Sequence, residues 1–142
     1  MSRERIGLQD VKAPLSTARV IAVLGVSATV EKPAHYVPQY AVESGYRVIP
    51  VNPLLAGQTL FSEPVRATLS EITEVVDIVD IFRRAELLDA HLDDILNMKP
   101  LPKLVWLQLG IRNPEFADKL IAAGIEVVQD RCLMADHHNL RL

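Results

Sequence analysis

The sequence predicts an α/β protein built on an open, parallel, five-stranded sheet with helices on both faces. Three observations carry this expectation. Short runs rich in Val and Ile recur along the whole chain. Most are apolar at consecutive positions, as strands covered on both sides must be. Segments with helical spacing separate most of these runs. Strand, helix and strand in repetition, joined by right-handed crossovers, predict the order 3-2-1-4-5.

The five predicted strands are "RVIAVL" (19–24), "YRVIPV" (46–51), "VDIVDIF" (76–82), "LVWLQL" (104–109) and "IEVVQD" (125–130). Between the first two, Val37, Tyr40, Ala41 and Ser44 mark a helix that Gly45 ends. Leu88, Leu92, Ile95 and Leu96 form a second stripe, stopping near Pro100. Phe116, Leu120 and Ala123 form a third, opened by Asn113-Pro114 as cap and first helical residue and closed by Gly124. Residues 53–71 contain turn residues and two prolines around a brief apolar run, and read as a loop with at most a short helix. Residues 3–13 read as a leading helix that ends at the Ala13-Pro14 step. The tail after Cys132 reads as a final short helix.

Length and composition narrow the function. A chain of 142 residues matches one domain, here residues 1–142 with a core at about 19–140, and is long enough to bury a real core. The net charge of −3 argues against a general nucleic-acid binder. A single cysteine excludes an internal disulfide and fits a reducing cytoplasm. The charged start Met1-Ser2-Arg3-Glu4-Arg5 does not read as a signal peptide, and no apolar run approaches the roughly 20 residues that cross a bilayer.

In sheets of this kind ligands bind beyond the carboxyl ends of the strands. There the sequence places Gly25, Ser27 and Lys32 after the first strand and Asn52-Pro53 after the second. Arg83-Arg84 follow the third, Gly110 and Arg112 the fourth, and Arg131 the fifth. Cations after four of five strands, beside a glycine turn, favour an anion with several phosphates. A dinucleotide site would require G-x-G-x-x-G and an acidic residue about 20 positions on. The loop reads G-V-S-A-T-V and the second strand ends in Asn52, so both requirements fail. The P-loop pattern is missing as well.

Taken together, "IAVLGVS" (21–27), "EKPAHYV" (31–37), "GYRVIPVNP" (45–53), "VDIVDIFRR" (76–84), "VWLQLGI" (105–111) and "DRCL" (130–133) resemble the small CoA-binding domain proteins. These in turn are similar to the N-terminal domain of the succinyl-CoA synthetase α subunit standing alone. The resemblance implies a Rossmann-like sheet with coenzyme A or an acyl-CoA held at the strand ends. It implies that Gly25, Val26 and Ser27 face the CoA phosphates with their amides, and that Lys32 serves a phosphate of the nucleotide end. Asn52 and Pro53 then lie beside the adenosine portion, Phe82 and Arg83 contribute packing and charge, and Gly110 and Ile111 line the path of the pantetheine arm. The Ala34-His35 pair departs from relatives, which often carry a small hydroxyl residue there.

The remaining polar residues read as structural in the main. Trp106 alternates within a strand and suits a buried core position. Gln108 suits either a ligand or a neighbouring loop. His137-His138 read as solvated surface, since adjacent helical positions diverge and no zinc partner is spaced for them. His35 and His91 lack an obvious serine or cysteine partner. Cys132 reads either as a packed small hydrophobe or as a thiol activated by a helix start. No nucleophile, base and oxyanion site assemble in the sequence, which favours a non-catalytic CoA-binding module. Two alternatives stand beside it: an NAD(P)-binding oxidoreductase-type domain, and a CoA-binding subunit of a larger acyl-CoA enzyme. A protein partner, a homodimer, and the choice between free CoA and acyl-CoA all stay open.

Overall fold

The computed structural model describes residues 2–142. Its main sheet is parallel and five-stranded, made of β1 (Val20–Leu24), β2 (Arg47–Val51), β5 (Ile78–Ile81), β6 (Leu104–Leu107) and β7 (Glu126–Val128). A two-stranded hairpin of β3 (Thr59–Leu60) and β4 (Glu63–Pro64) lies between β2 and β5 in the chain. The helices are α1 (Lys12–Thr17), α2 (Pro33–Glu43), α3 (Leu92–Leu96), α4 (Pro114–Ala122) and α5 (Leu133–Asn139).

The main strands are apolar on both faces because each face carries its own core. On one face Ala22, Ile49, Val79, Val105 and Val127 pack against Leu88, Ile95, Phe116 and Leu120. On the other, Val23, Val48, Ile78, Trp106 and Val128 pack against Leu15, Val37, Ala41 and Leu133. Helices α3 and α4 cover the first face; α1, α2 and α5 cover the second. Successive strand residues thus enter opposite cores, as the period of two demands. Trp106 is fully buried and its Nε1 donates to Arg131 O at 2.8 Å.

The five-stranded order is β2-β1-β5-β6-β7. Beyond β2, one further segment makes a rudimentary edge. Arg66 bridges Val51 in parallel, with Asn52 N–H donating to Arg66 O and Arg66 N–H to Pro50 O, both at 2.9 Å. Counted as the third strand in chain order, this segment restores the 3-2-1-4-5 layout, with β7 sixth. The predicted strand at 76–82 therefore pairs with β1, not outside β2. The true third position is too short to show in a stretch that otherwise reads as loop. Pro50, with no N–H to give, sits in a strand that has a regular ladder on one side only.

The N-terminus also corrects the expectation of a helix over 3–13. Glu4 bridges Val127, Arg5 N–H donates to Val127 O at 2.8 Å, and Val127 N–H donates to Arg3 O at 3.2 Å. Helix α1 starts at Lys12 and passes through Pro14. Proline is tolerated there because the first four N–H groups of a helix lack an internal partner anyway. The other helices match the sequence spacing; Asn113 Oδ1 accepts from Phe116 N at 3.1 Å as the cap of α4.

Candidate functional site

Two adjoining cavities open at the carboxyl ends of the strands. One, of about 390 Å³, is lined by Gly25, Val26, Ser27, Ala28, Thr29, Lys32, Ala34, Asn52, Leu54 and Leu55. The other, of about 480 Å³, is lined by Lys32, Pro33, Ala34, Phe82, Arg83, Arg84, Ala85, Glu86, Gln108, Leu109, Gly110 and Ile111. Lys32 and Ala34 belong to both, so the start of α2 forms the seam. Nine of the ten residues expected at a ligand site line one cavity or the other. Pro53 is the exception: it is exposed and opens a single 3-10 turn behind Asn52.

Gly25 has a backbone reason to be glycine. Its φ is +90°, and a Cβ there would stand 2.6 Å from Phe82 O and 3.4 Å from Arg83 Cδ. The close approach seats the β1 turn on the β5 end and packs Arg83 beside it. The amides of this turn are differently employed from the expectation. Gly25 N–H donates to Val51 O at 2.8 Å and Ser27 N–H to Ala34 O at 3.1 Å, so both are spent inside the protein. Among the described residues, Val26 and Ala34 keep amides with no backbone acceptor. Ser27 also accepts, at Oγ, from Thr29 N–H at 3.0 Å. His35 holds Nδ1 2.7 Å from Ser27 O. Since a carbonyl only accepts, Nδ1 carries the proton, and His35 clips the loop to α2.

Asn52 is likewise a fastener. Its Nδ2 donates to Val26 O at 2.8 Å and its Oδ1 accepts from Leu54 N–H at 2.9 Å. An aspartate could not donate to Val26 O, so this turn requires an amide where a dinucleotide site would use an acid.

The cations divide sharply. Arg131 holds Asp136 in a two-pronged pair, Nε–Oδ2 at 2.6 Å and Nη2–Oδ1 at 3.0 Å, and is thereby taken out of the site. Arg112 lies 3.9 Å from Glu4 and Arg84 3.6 Å from Glu86. Among the described residues, Lys32 and Arg83 make no ion pair, and the Nε of Arg83 is buried without an acceptor. Two of the cations singled out in the sequence are thus uncommitted, and both line the larger cavity.

Two groups at this end were illegible or ambiguous in the sequence. Gln108 does serve a neighbouring loop, since its Oε1 accepts from Leu133 N–H at 3.1 Å, yet its Nε2 is buried with no partner. Asp80 lies in the middle of β5, 1% exposed, and its Oδ1 also lacks a partner. Burial pushes that carboxyl well above the usual carboxylate range. The signal for Asp80 was an acid inside an otherwise apolar run. His91 follows from the same edge; burial first, then Arg83, lowers its pKa, while Asp94 opposes this.

Other polar residues are structural. His137 is buried, against the expectation of a solvated surface: Tyr40 Oη lies 2.8 Å from its Nδ1, and both Tyr40 and Tyr46 meet its ring edge-to-face. Burial and neighbouring His138 lower its pKa. Cys132 precedes α5 at its cap position, half-buried against the core. Among the described residues no helix is long and apolar enough to cross a membrane.

Comparison with known proteins agrees with this geometry. The family described as "CoA binding domain" matches residues 19–138. The protein YneT of Bacillus subtilis (strain 168) is 32% identical over 128 residues, covering 90% of this chain and 92% of its own. A solved structure from Thermus thermophilus, cell-free ID.343, is 50% identical, with a TM-score of 0.90 over 95% of this chain and 99% of its own. A hypothetical protein from Pyrococcus horikoshii OT3 gives 28% identity and a TM-score of 0.87 over 96% of this chain and 94% of its own. The match spans both cavities and every strand of the main sheet, and the chain belongs to the CoA-binding domain family.

Proposed function

We propose that this protein binds coenzyme A or an acyl-CoA across the two cavities, as a binding module without chemistry of its own. The observation that carries the reading is the seam. Uncommitted Lys32 and Ala34, whose amide is free at the start of α2, line both cavities, and Arg83, its Nε orphaned beside Gly25, lines the larger one, whose surface is mainly apolar. A helix start with free amides and two cations suits a pyrophosphate and a further phosphate. On this reading the nucleotide end occupies the hollow between Gly25-Val26-Ser27 and Asn52. The pantetheine arm runs past Phe82 toward Gly110 and Ile111. Asn52 and Ser27 shape the hollow, while Pro53 supports it from behind.

A nicotinamide dinucleotide is disfavoured because Asn52 spends both ends of its amide on the protein and offers no acid to ribose. Calorimetric titration tests the choice: CoA is expected to bind more tightly than NAD or NADP, and equal or stronger NAD binding overturns the assignment. A second reading, a subunit of a larger acyl-CoA enzyme, draws on Leu54 and Leu109, which line the two cavities at 87% and 70% exposure. A stable complex recovered with this chain, whose partner supplies catalytic groups, would favour it.

A further inference from the structure

We infer that the larger cavity takes the acylated end of an acyl-CoA, with Gln108 Nε2 donating to the thioester carbonyl, so that this protein selects an acyl thioester by its oxygen. The inference rests on the CoA reading above and goes further, to which form of the ligand is held.

The side-chain amide of Gln108 has a settled orientation. Its Oε1 accepts from Leu133 N–H, the first residue of α5, which leaves Nε2 as the end that faces no protein acceptor. The residue is 3% exposed and forms part of the cavity wall. Burying a donor without an acceptor is costly, and native proteins keep few of them. Of the neighbouring amides, Gly110 N–H is bonded to Asp130 Oδ1 at 2.6 Å and Ile111 N–H to Gln108 O at 2.9 Å, whereas Leu109 N–H has no backbone acceptor among the described residues. Arg83, the other orphaned donor of this wall, packs toward Gly25 and serves the phosphate side. The carboxylate of the wall, Glu86, is exposed and lies 3.6 Å from Arg84.

What Gln108 Nε2 asks for is an acceptor. A pantetheine amide carries an N–H together with its carbonyl and asks for two partners. A thioester carbonyl asks for one, and its flanking carbons suit Phe82, Leu109, Ile111 and Ala85. A volume of about 480 Å³ lies within the roughly 300–1,000 Å³ of small-ligand sites.

Gln108 has one rival claim inside the fold. Asp80 faces the same side of the sheet, since Asp80 pairs with Trp106 and Gln108 stands two residues on. Its orphaned Oδ1 could take the Gln108 amide through a small shift or a bridging water.

The test is calorimetric titration of the full chain with CoA, acetyl-CoA and S-ethyl-CoA, a thioether that keeps the shape and lacks the carbonyl. Acetyl-CoA is expected to bind about five- to tenfold more tightly than S-ethyl-CoA, the scale of one hydrogen bond. Gln108→Met and Gln108→Leu each lose the donor, whereas a buried glutamic acid would be protonated and still donate. The Met and Leu variants are expected to erase the preference, while Asp80→Asn keeps it. Equal affinities in the unaltered protein, with CoA still bound, overturn the inference and leave the CoA reading standing. A preference that survives in the Gln108 variants, or vanishes in Asp80→Asn, also overturns it. Failure of all three ligands to bind removes the CoA reading itself.

Discussion

Two patches of this protein use the same side chains to opposite ends. At the sheet edge, Arg47 meets Glu63 at 2.7 Å and Glu74 at 2.8 Å, and Arg66 meets Glu63 at 3.1 Å. Every arginine there has a carboxylate, and the pairs pin the β3–β4 hairpin to β2. At the strand ends, Lys32 and Arg83 have none among the described residues, and there Arg83 Nε and Gln108 Nε2 are buried with no acceptor. The first patch is finished; the second is missing a partner. Leaving donors unsatisfied lowers stability, so the difference separates charge that holds the fold from charge that, on the proposed reading, is kept for a ligand.

The largest effect is expected from Gly25, where the two cavities' framework touches itself. Gly25→Ala places a Cβ 2.6 Å from a backbone oxygen at a φ of +90°. Loss of about 2–4 kcal/mol of stability and of measurable CoA binding is expected, by denaturant titration and calorimetry. Ordinary stability would mean that the β1 turn relaxes freely and does not set the site.

The comparison is broken most directly at its cations. Lys32→Ala and Arg83→Ala are each expected to weaken CoA binding by about 1–3 kcal/mol. Their stability is expected to stay within about 0.5 kcal/mol of the parent, or to rise slightly for Arg83, which sheds an unsatisfied donor. Dephospho-CoA, lacking the 3′-phosphate, is expected to be indifferent to at least one of the changes. Unaltered CoA affinity in both variants would make these charges ordinary surface.

How far the sequence reached follows the same division. Strands were legible because doubly covered positions must be apolar, and all five were located to within two residues. The edge segment at Arg66 was not, because a single bridge leaves no periodicity to read. Lys32 and Arg83 were legible as strand-end cations, but Arg131 looked identical to them. Only the placement of Asp136 within α5 shows that Arg131 is already paired. The amides of Gly25 and Ser27 were misjudged for a related reason: a glycine turn announces a sharp bend without saying which N–H groups the next strand and helix consume.

Asp80 sharpens the comparison through pH, since it is a buried carboxyl in β5 whose Oδ1 has no partner among the described residues. Burial raises its pKa in the folded state above the unfolded value. Its contribution to stability is therefore complete below the ordinary carboxylate pKa and is lost as pH rises toward the folded pKa. Denaturant midpoints measured from pH 4 to pH 8 are expected to fall less in Asp80→Asn than in the parent, the difference growing with pH. Identical profiles would mean that Asp80 finds a partner and is as well satisfied as the edge.

The smallest effect is expected where everything is paired. Arg47 is about two-fifths exposed, and its partners are only partly buried, so solvent screens the attraction and side-chain ordering offsets much of it. Arg47→Ala is expected to cost at most about 1 kcal/mol of stability. The cost is expected to shrink in acid. Glu63 titrates below its usual value chiefly through its hydrogen bond from Arg47; Glu74 does so through a backbone hydrogen bond first and Arg47 second. Groups with lowered pKa contribute above the unfolded pKa and lose that contribution as pH falls through the folded one. CoA affinity is expected to be untouched, because the backbone bonds from Arg66 N–H to Pro50 O and from Asn52 N–H to Arg66 O still hold this segment against β2. A drop in CoA affinity comparable to that of Lys32→Ala would show that the edge patch and the strand ends act as one unit, and the contrast between them would fall.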